Sequence, residues 1–195
     1  SLAIGQGELL ITPIQMANMT ATIANRGYYI TPHLIKSIEG NESIDEKYTE
    51  KHYTTIDTAH YRPIVDGMDL VINGGPGSTA RNAKIQGITV CGKTGTAQNP
   101  HGNDHSIFIA FAPKEDPKIA IAVYVENQGF GTTYAAPSAS LMIEKYLTGE
   151  VQRSWYENWV KQLAQPAVSA TSANSASSGT DSTETDNATG NGTEE

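Results

Sequence analysis

Cysteine is almost absent from the sequence: Cys91 is the single cysteine in 195 residues. One cysteine excludes an intramolecular disulfide and a zinc site built from several thiolates. It does not indicate a compartment, because a protein without disulfides can occur on either side of a membrane. Cys91 follows a run of β-branched residues, so we predict a small side chain packed inside a strand and not a nucleophile.

Positive charge is also scarce in this chain. Lys and Arg number 13 against 21 Asp and Glu, which gives a formal net charge of −8. A nucleic-acid-binding surface needs clustered cations, so this balance argues against a nucleic-acid partner. No basic residue follows Lys161, and five acidic residues lie beyond it. The rest of the chain is therefore close to neutral.

Long hydrophobic runs are missing as well. A helix that spans a bilayer needs about 18 or more consecutive apolar residues, and the sequence contains no such run. The chain begins with Ser1 rather than Met, without the charged and apolar regions of a secretion signal. We therefore expect any signal or membrane anchor to lie upstream, and we interpret the chain as part of a larger protein.

Bulky apolar residues become rare after about Gln165, where Ala, Ser, Thr, Asn and Gly predominate. Such a segment cannot bury enough surface to offset the cost of ordering its backbone, about 1–2 kcal/mol per residue. The composition thus predicts three regions. They are a folded domain over residues 1–150, a short amphipathic helical extension over 151–164, and a disordered acidic tail over 165–195.

Helix signals occur at three places in the folded domain. Thr12 is suited to an N-cap, Pro13 to the first turn and Gln15 to a capping box. Apolar residues then recur at helical spacing until Gly27 offers a stop. Two further stretches have the same spacing: residues 63–73 and 137–149.

Three strands are predicted at residues 85–93, 106–112 and 119–126, and residues 28–38 also look extended. The last two of the three are nearly unbroken apolar runs, joined by the turn-like sequence K-E-D-P at residues 114–117. Unbroken runs indicate strands that are covered on both faces. The elements together predict the α+β class, with an antiparallel sheet covered by helices.

Residues 87–94 read GITVCGKT and fit the P-loop pattern G-x-x-x-x-G-K-[ST]. A P-loop needs a flexible turn whose N–H groups wrap a phosphate, and a helix that starts at the Lys. Here β-branched residues fill the would-be turn. Helix-breaking residues follow: Gly95, Asn99, Pro100 and Gly102. Nucleotide binding remains an alternative, but the segment is better interpreted as a strand.

As a strand, this segment presents Lys93, Thr94, Gly95 and Thr96 in sequence. Alternate side chains of a strand share a face, so we expect the two threonine hydroxyls to lie on the same side. A glycine between them allows another backbone to approach closely. This combination of ammonium, hydroxyl and backbone N–H donors suits an acyl substrate that ends in a carboxylate. The alternative is an exposed edge strand without a ligand.

Two other patterns look functional but fail on geometry. Asp104, His105 and Ser106 are the residue types of a catalytic triad, yet neighbours in a strand point to opposite faces and cannot form a relay. His101 and His105 have the i, i+4 spacing of a zinc-binding helix, but glycine and proline nearby prevent a helix there. We therefore expect neither a metal site nor a cofactor.

The sequence K-T-G-T-A-Q at residues 93–98 resembles the third signature of the penicillin-recognising serine acyltransferases, K-T-G. Further blocks resemble the C-terminal part of class B penicillin-binding proteins of the elongation type (penicillin-binding protein 2), which are peptidoglycan D,D-transpeptidases. These blocks are S-L-A-I-G-Q-G-E at 1–8, T-P-I-Q-M-A at 12–17, A-T-I-A-N-R-G at 21–27 and D-H-S at 104–106. They occur in the family's order and extend the resemblance over residues 1–147.

The resemblance implies roles for four residues. Lys93 would lie beside the nucleophilic serine and hydrogen-bond the serine of the family's S-x-N motif. The hydroxyls of Thr94 and Thr96 would bind the terminal D-Ala carboxylate or that of a β-lactam. The backbone N–H of Thr96 would be one of two oxyanion-hole donors. Gly95 would leave room for the incoming peptide.

The chain departs from the family in lacking a nucleophile motif, because no Ser has Lys three positions later. The one S-x-N match lies at residues 172–174, after K-T-G rather than before it, and we attribute it to composition. We expect the missing motifs upstream of Ser1, so that this chain is a partial penicillin-binding or β-lactamase-like transpeptidase domain. Alone, it should be inactive.

The resemblance also implies a setting and partners. The parent enzyme would act on peptidoglycan stem peptides and react with β-lactams at the periplasmic face of the bacterial inner membrane, together with a glycan polymerase. A different class of function is an alternative: a non-catalytic penicillin-binding-type module for scaffolding or β-lactam sensing.

Overall fold

The computed structural model describes residue 3 and residues 5–40 and 44–163. The chain divides into two compact units, Ser1–Ser154 and Trp155–Glu195. The tail predicted over residues 165–195 lies outside the described residues. In the described part, no helix combines the length and apolar character needed to cross a membrane.

Helix α1 spans Pro13–Ala24, and it begins as its sequence predicts. The backbone N–H of Gln15 donates to the Thr12 hydroxyl, and the Gln15 side chain accepts from the backbone N–H of Thr12 at 2.8 Å, so both halves of the capping box form. After the helix, Gly27 has a φ of +118°, and a Cβ atom there would lie 3.0 Å from the ring of Tyr61. A glycine is therefore required both by the backbone and by the packing.

The region predicted as extended over residues 28–38 forms only a short ribbon. Strand β1, Tyr28–Tyr29, pairs antiparallel with β2, His52–Tyr53. Beyond it, Pro32 has no N–H with which to continue a ladder. The prediction of a long extended segment was therefore wrong beyond its first residues.

Helix α2 spans Tyr61–Asn73 and buries the side chains of one face: Tyr61, Val65, Met68 and Ile72. It starts two residues before the predicted boundary, because a 3₁₀ turn at Thr58–His60 feeds directly into it. The Asp57 carboxylate caps that turn by accepting the backbone N–H of Ala59 at 2.8 Å.

The main sheet has three antiparallel strands in the order β3-β4-β5, with β3 at Cys91–Ala97, β4 at His105–Ala112 and β5 at Ile119–Val125. The last two strands and their hairpin confirm the prediction. The first predicted strand, 85–93, was placed too early, because residues 85–88 close a turn in which Gly87 has a φ of +77°. Ile85 and Val90 are buried in the core although they lie outside the three-stranded sheet, so their apolar character does not indicate a strand.

Helices cover both faces of this sheet, which confirms the α+β architecture. Helix α3, Ala135–Thr148, packs on the face that carries Phe108 and Ala110, while α1 and α2 pack on the face that carries Cys91 and Phe111. Helix α3 ends at Gly149, whose φ is +84°. A fourth helix, α4, spans Ser154–Leu163.

An ionic cluster ties α2 to the turn between β4 and β5. The Lys114 ammonium lies 2.8 Å from a carboxylate oxygen of Asp66 and 2.8 Å from one of Asp69. These two hydrogen-bonded carboxylates raise the pKa of Lys114, and the ammonium lowers the pKa of Asp66. The guanidinium of Arg26 donates to the Lys114 carbonyl at 2.8 Å, which joins the end of α1 to the same turn.

We expect Lys114→Met to lower the free energy of unfolding at neutral pH by about 1–2 kcal/mol, because two carboxylates lose their charged donor. The matched control is Lys118→Met, whose exposed pair with Asp116 should be worth less than about 0.5 kcal/mol. Urea unfolding measures both changes.

The pH dependence of stability in the same variants tests whether the ion pairs of Lys114 cause the expected loss. The lowered pKa of Asp66 stabilises the fold above about pH 4, and this contribution is lost as the pH falls through the folded-state pKa. Stability should therefore depend less on pH in this acidic range in the Lys114 variant than in wild type. If the stability of wild type and of the Lys114 variant depended equally on pH in this range, the stabilising role of the Asp66–Lys114 pair would be contradicted.

Cys91 is fully buried between the sheet and α2, and burial, with the Asp69 carboxylate as a second cause, raises the pKa of its thiol to about 12. At pH 8 only about 10⁻⁴ of the thiol is then ionised. We expect the native protein to resist Ellman's reagent and to release one thiol per chain after denaturation. Rapid labelling of the native protein would contradict this burial.

Candidate functional site

Strand β3 brings the four predicted site residues to one edge of the sheet. Among the described residues, β3 pairs with β4 alone, so its other edge is open. Lys93 is exposed, and Thr94, Gly95 and Thr96 are half-buried. The segment is neither buried nor wound into a helix, which agrees with the strand interpretation and excludes the P-loop geometry.

The backbone groups of Thr94 and Thr96 face the open edge. The Thr94 carbonyl accepts from the Lys93 ammonium at 2.8 Å, and the Thr96 carbonyl accepts from the side-chain amide of Gln6 at 3.2 Å. In an antiparallel pair, residues alternate between those that bond their partner strand and those that do not. The N–H groups of Thr94 and Thr96 therefore also point away from β4, towards the open edge.

The two threonine side chains share a face, as predicted. Thr94 lies opposite Phe108 and Thr96 opposite Ser106, and residues directly opposite in a sheet lie on the same face. Within residues 5–40 and 44–163, neither threonine hydroxyl has a protein hydrogen-bond partner, so both can serve a ligand. Lys93 belongs to the other face, but its side chain curls over the edge to reach the Thr94 carbonyl.

Gly95 is enclosed by backbone and side chains on both sides of the strand. A Cβ atom on Gly95 would lie 3.2 Å from the Cβ atom of Ile107, its partner on β4. On the other side, Gly131 is so close that a Cβ atom there would lie 2.6 Å from the Gly95 carbonyl oxygen. A side chain at residue 95 would therefore need Ile107 to give way by a few tenths of an ångström, a constraint that the sequence alone did not indicate.

The turn between β3 and β4 and the first residues of β4 hold the residues of both rejected patterns. The carboxylate of Asp104 accepts the backbone N–H of Asn99 at 3.2 Å, and the Nδ1 atom of His105 accepts the backbone N–H of Asn127 at 3.1 Å. Ser106 instead donates to the carbonyl of Phe130. The three side chains have separate partners and form no relay. In the described part of the chain, no group of three or more metal-ligating side chains occurs.

A cavity of about 480 Å³ adjoins the same end of the sheet. It is lined by residues 102–104 of the β3–β4 turn, by residues 127–130 after β5, and by Tyr134. The Phe130 side chain is 69% exposed. This depression thus lies beside the β3–β4 turn, and Phe130 contributes an exposed aromatic ring to its lining.

Sequence reasoning missed three residues that shape this edge. Gln6 binds the Thr96 carbonyl across 90 positions of sequence, and no local pattern could have placed it there. Gly131 packs on Gly95 from a loop after β5. Ser106 is fully buried, and a polar residue at the start of a nearly unbroken apolar strand was the one available signal.

A family model, the penicillin binding protein transpeptidase domain, matches residues 1–144. Peptidoglycan D,D-transpeptidase MrdA of Haemophilus influenzae is 34% identical over 164 residues, which cover 75% of this chain and 25% of that protein. Peptidoglycan D,D-transpeptidase PbpA of Mycolicibacterium smegmatis is 35% identical over 135 residues, with 65% and 26% covered. These relatives confirm the resemblance stated from the sequence.

Solved structures show the same relationship. The crystal structure of Pseudomonas aeruginosa PBP2 is 37% identical to the chain, with a TM-score of 0.66, and the match covers 79% of this chain and 34% of that one. Penicillin-binding protein A from Mycobacterium tuberculosis, solved as an imipenem acyl-enzyme complex, is 32% identical with a TM-score of 0.61, covering 75% and 33%. The chain thus spans about a quarter to a third of the length of these relatives.

Proposed function

The chain belongs to the penicillin-binding protein transpeptidase family, and we propose that it supplies the substrate-binding strand of a serine D,D-transpeptidase that cross-links peptidoglycan stem peptides. The observation that carries this proposal is the open edge of β3. That edge combines one ammonium, outward-facing N–H groups and two hydroxyls that have no hydrogen-bond partner among the described residues. The same edge would bind β-lactams, which carry a carboxylate beside a reactive carbonyl.

The donor peptide would bind as an additional strand beside β3, since an extended peptide adds readily to an exposed sheet edge. Its terminal carboxylate would accept hydrogen bonds from the Lys93 ammonium and from the hydroxyls of Thr94 and Thr96. The preceding carbonyl would accept from the Thr96 N–H. The peptide would then run antiparallel to β3, and its N-terminal part would point towards residues 98–104 and the cavity beside them.

The reaction would proceed through a covalent acyl-enzyme. The serine oxygen attacks the penultimate D-Ala carbonyl, and the Thr96 N–H stabilises the resulting oxyanion together with the N–H of the serine itself. The C–N bond then breaks as the proton of the serine hydroxyl is transferred to the leaving nitrogen, and the terminal D-Ala departs with a free amine. An amine from a neighbouring stem attacks the ester and releases the serine, which leaves a new amide cross-link.

The Lys93 ammonium would provide a positive charge beside the nucleophile and would donate a hydrogen bond to the S-x-N serine. Both the S-x-x-K serine and the S-x-N motif would come from a part of the polypeptide outside this sequence, because no Ser here has Lys three positions later and the one S-x-N match follows K-T-G. Gly95 would let the peptide backbone approach the strand. We place this activity in the periplasm, at the inner membrane, in association with a glycan polymerase.

The first test uses the full-length gene product that contains this chain. Lys93→Ala should slow acylation by a fluorescent penicillin about 10²-fold, because a preorganised charge at the reacting centre is lost. The control is Lys118→Ala, which removes an exposed lysine at the β4–β5 turn and should acylate at the wild-type rate. Unchanged acylation of the Lys93 variant would refute its role. A wild-type protein that binds penicillin without acylation would instead support the non-catalytic module.

The second test isolates the carboxylate. Thr94→Val keeps the β-branched shape and removes the hydroxyl, so affinity for a β-lactam should fall about tenfold, the value of one hydrogen bond to a charged group. Affinity for the methyl ester of the same compound should change little, and Thr94→Ser should restore the loss. Equal losses for acid and ester would show that the hydroxyl does not bind the carboxylate.

A further inference from the structure

The loop between β5 and α3 holds the peptide group that carries the Thr96 N–H. Within this loop, a Cβ atom on Gly131 would overlap the carbonyl oxygen of Ile107 and lie 2.6 Å from that of Gly95. Gly131 therefore lies close to the paired backbones of Gly95 on β3 and Ile107 on β4. A residue with any side chain could not occupy this place without moving one of the strands.

The position of the Gly95 carbonyl determines the direction of the Thr96 N–H. Both groups belong to the same peptide unit, which is planar and trans, so they point in opposite directions. A segment packed beside the Gly95 oxygen therefore restricts the tilt of the N–H on the open edge. This mechanical link requires no contact between the loop and a ligand.

Ser106 binds the loop between β5 and α3 through two hydrogen bonds. It lies directly opposite Thr96, is fully buried, and shares the Thr96 face of the sheet. Its hydroxyl donates to the Phe130 carbonyl at 2.9 Å and accepts the backbone N–H of Ala135 at 3.2 Å. One side chain thus anchors the residue before Gly131 and the first residue of α3 to the strand behind Thr96.

We infer that Ser106 and Gly131 are positioning residues for the oxyanion donor. They act by setting the tilt of the Gly95–Thr96 peptide plane, and they touch neither the substrate nor the nucleophile. This inference rests on the proposed function, in which the Thr96 N–H stabilises the oxyanion. It assigns to the two residues a role in the acylation step and none in carboxylate binding.

The test compares two buried serines in the full-length protein. Ser106→Ala removes two hydrogen bonds to the loop, whereas Ser140→Ala removes a buried hydroxyl that has no hydrogen-bond partner in the described part of the chain. We expect the first-order acylation rate of the Ser106 variant to fall by about tenfold or more, since small misplacements of reacting groups are costly. Its noncovalent Kd for the same penicillin should stay within about threefold of wild type, and the Ser140 variant should match wild type in both.

Gly131→Ala provides a second variant with the opposite perturbation, because it presses on the peptide plane instead of releasing it. Its control is Gly67→Ala in α2, where a new methyl meets open space. Gly131→Ala should also slow acylation, and hydrogen exchange at the Gly95 and Ala97 amides should increase in both test variants.

The outcomes separate this inference from the proposed function. If wild type acylates and Lys93→Ala is slow, but Ser106→Ala and Gly131→Ala acylate normally, the positioning role is wrong and the function stands. A loss in Kd alone would also overturn the positioning role. Absence of acylation in wild type would reject the proposed function itself.

Discussion

The pairing between β3 and β4 is the constraint on which the site depends. An antiparallel pair satisfies every second residue of an edge strand and leaves the residues between them unsatisfied. Because Gly95 lies in a bonded position, Thr94 and Thr96 offer their backbone groups to the open edge, where Lys93 and Gln6 already bind the two carbonyls. A shift of the register by one residue would reverse this pattern and turn the hydroxyls to the other face.

The remaining elements keep this pairing fixed from both sides. Helices α1 and α2 bury Cys91 and Phe111 on one face, while α3 buries Phe108 and Ala110 on the other. The ionic cluster around Lys114 lies at one end of β4, and the hydroxyl of Ser106 lies at the other. Strand β4, on which β3 pairs, is thus held at both ends, so the proposed binding surface would rest on a rigid element.

The sequence predicted the local features well and the long-range contacts poorly. The capping box at Thr12, the β4–β5 hairpin and the stop at Gly149 depend on nearby residues, and all three occur. The strand over residues 85–93 was misplaced because buried turn residues are as apolar as strand residues. A motif predicted four site residues, Lys93, Thr94, Gly95 and Thr96, and the structure gathers them on one strand. The roles of Gln6 and Gly131 depend on contacts between distant parts of the chain, which periodicity does not encode.

The close packing of Gly131 on Gly95 has a consequence for natural variation. The donor proposed for Thr96 is a main-chain N–H, so among substitutions at that position only one to proline would remove it. Resistance to an inhibitor that relies on this N–H would therefore have to arise indirectly, from changes that rotate one peptide plane. The two facing glycines limit that route, since their contact leaves no space for adaptive side chains.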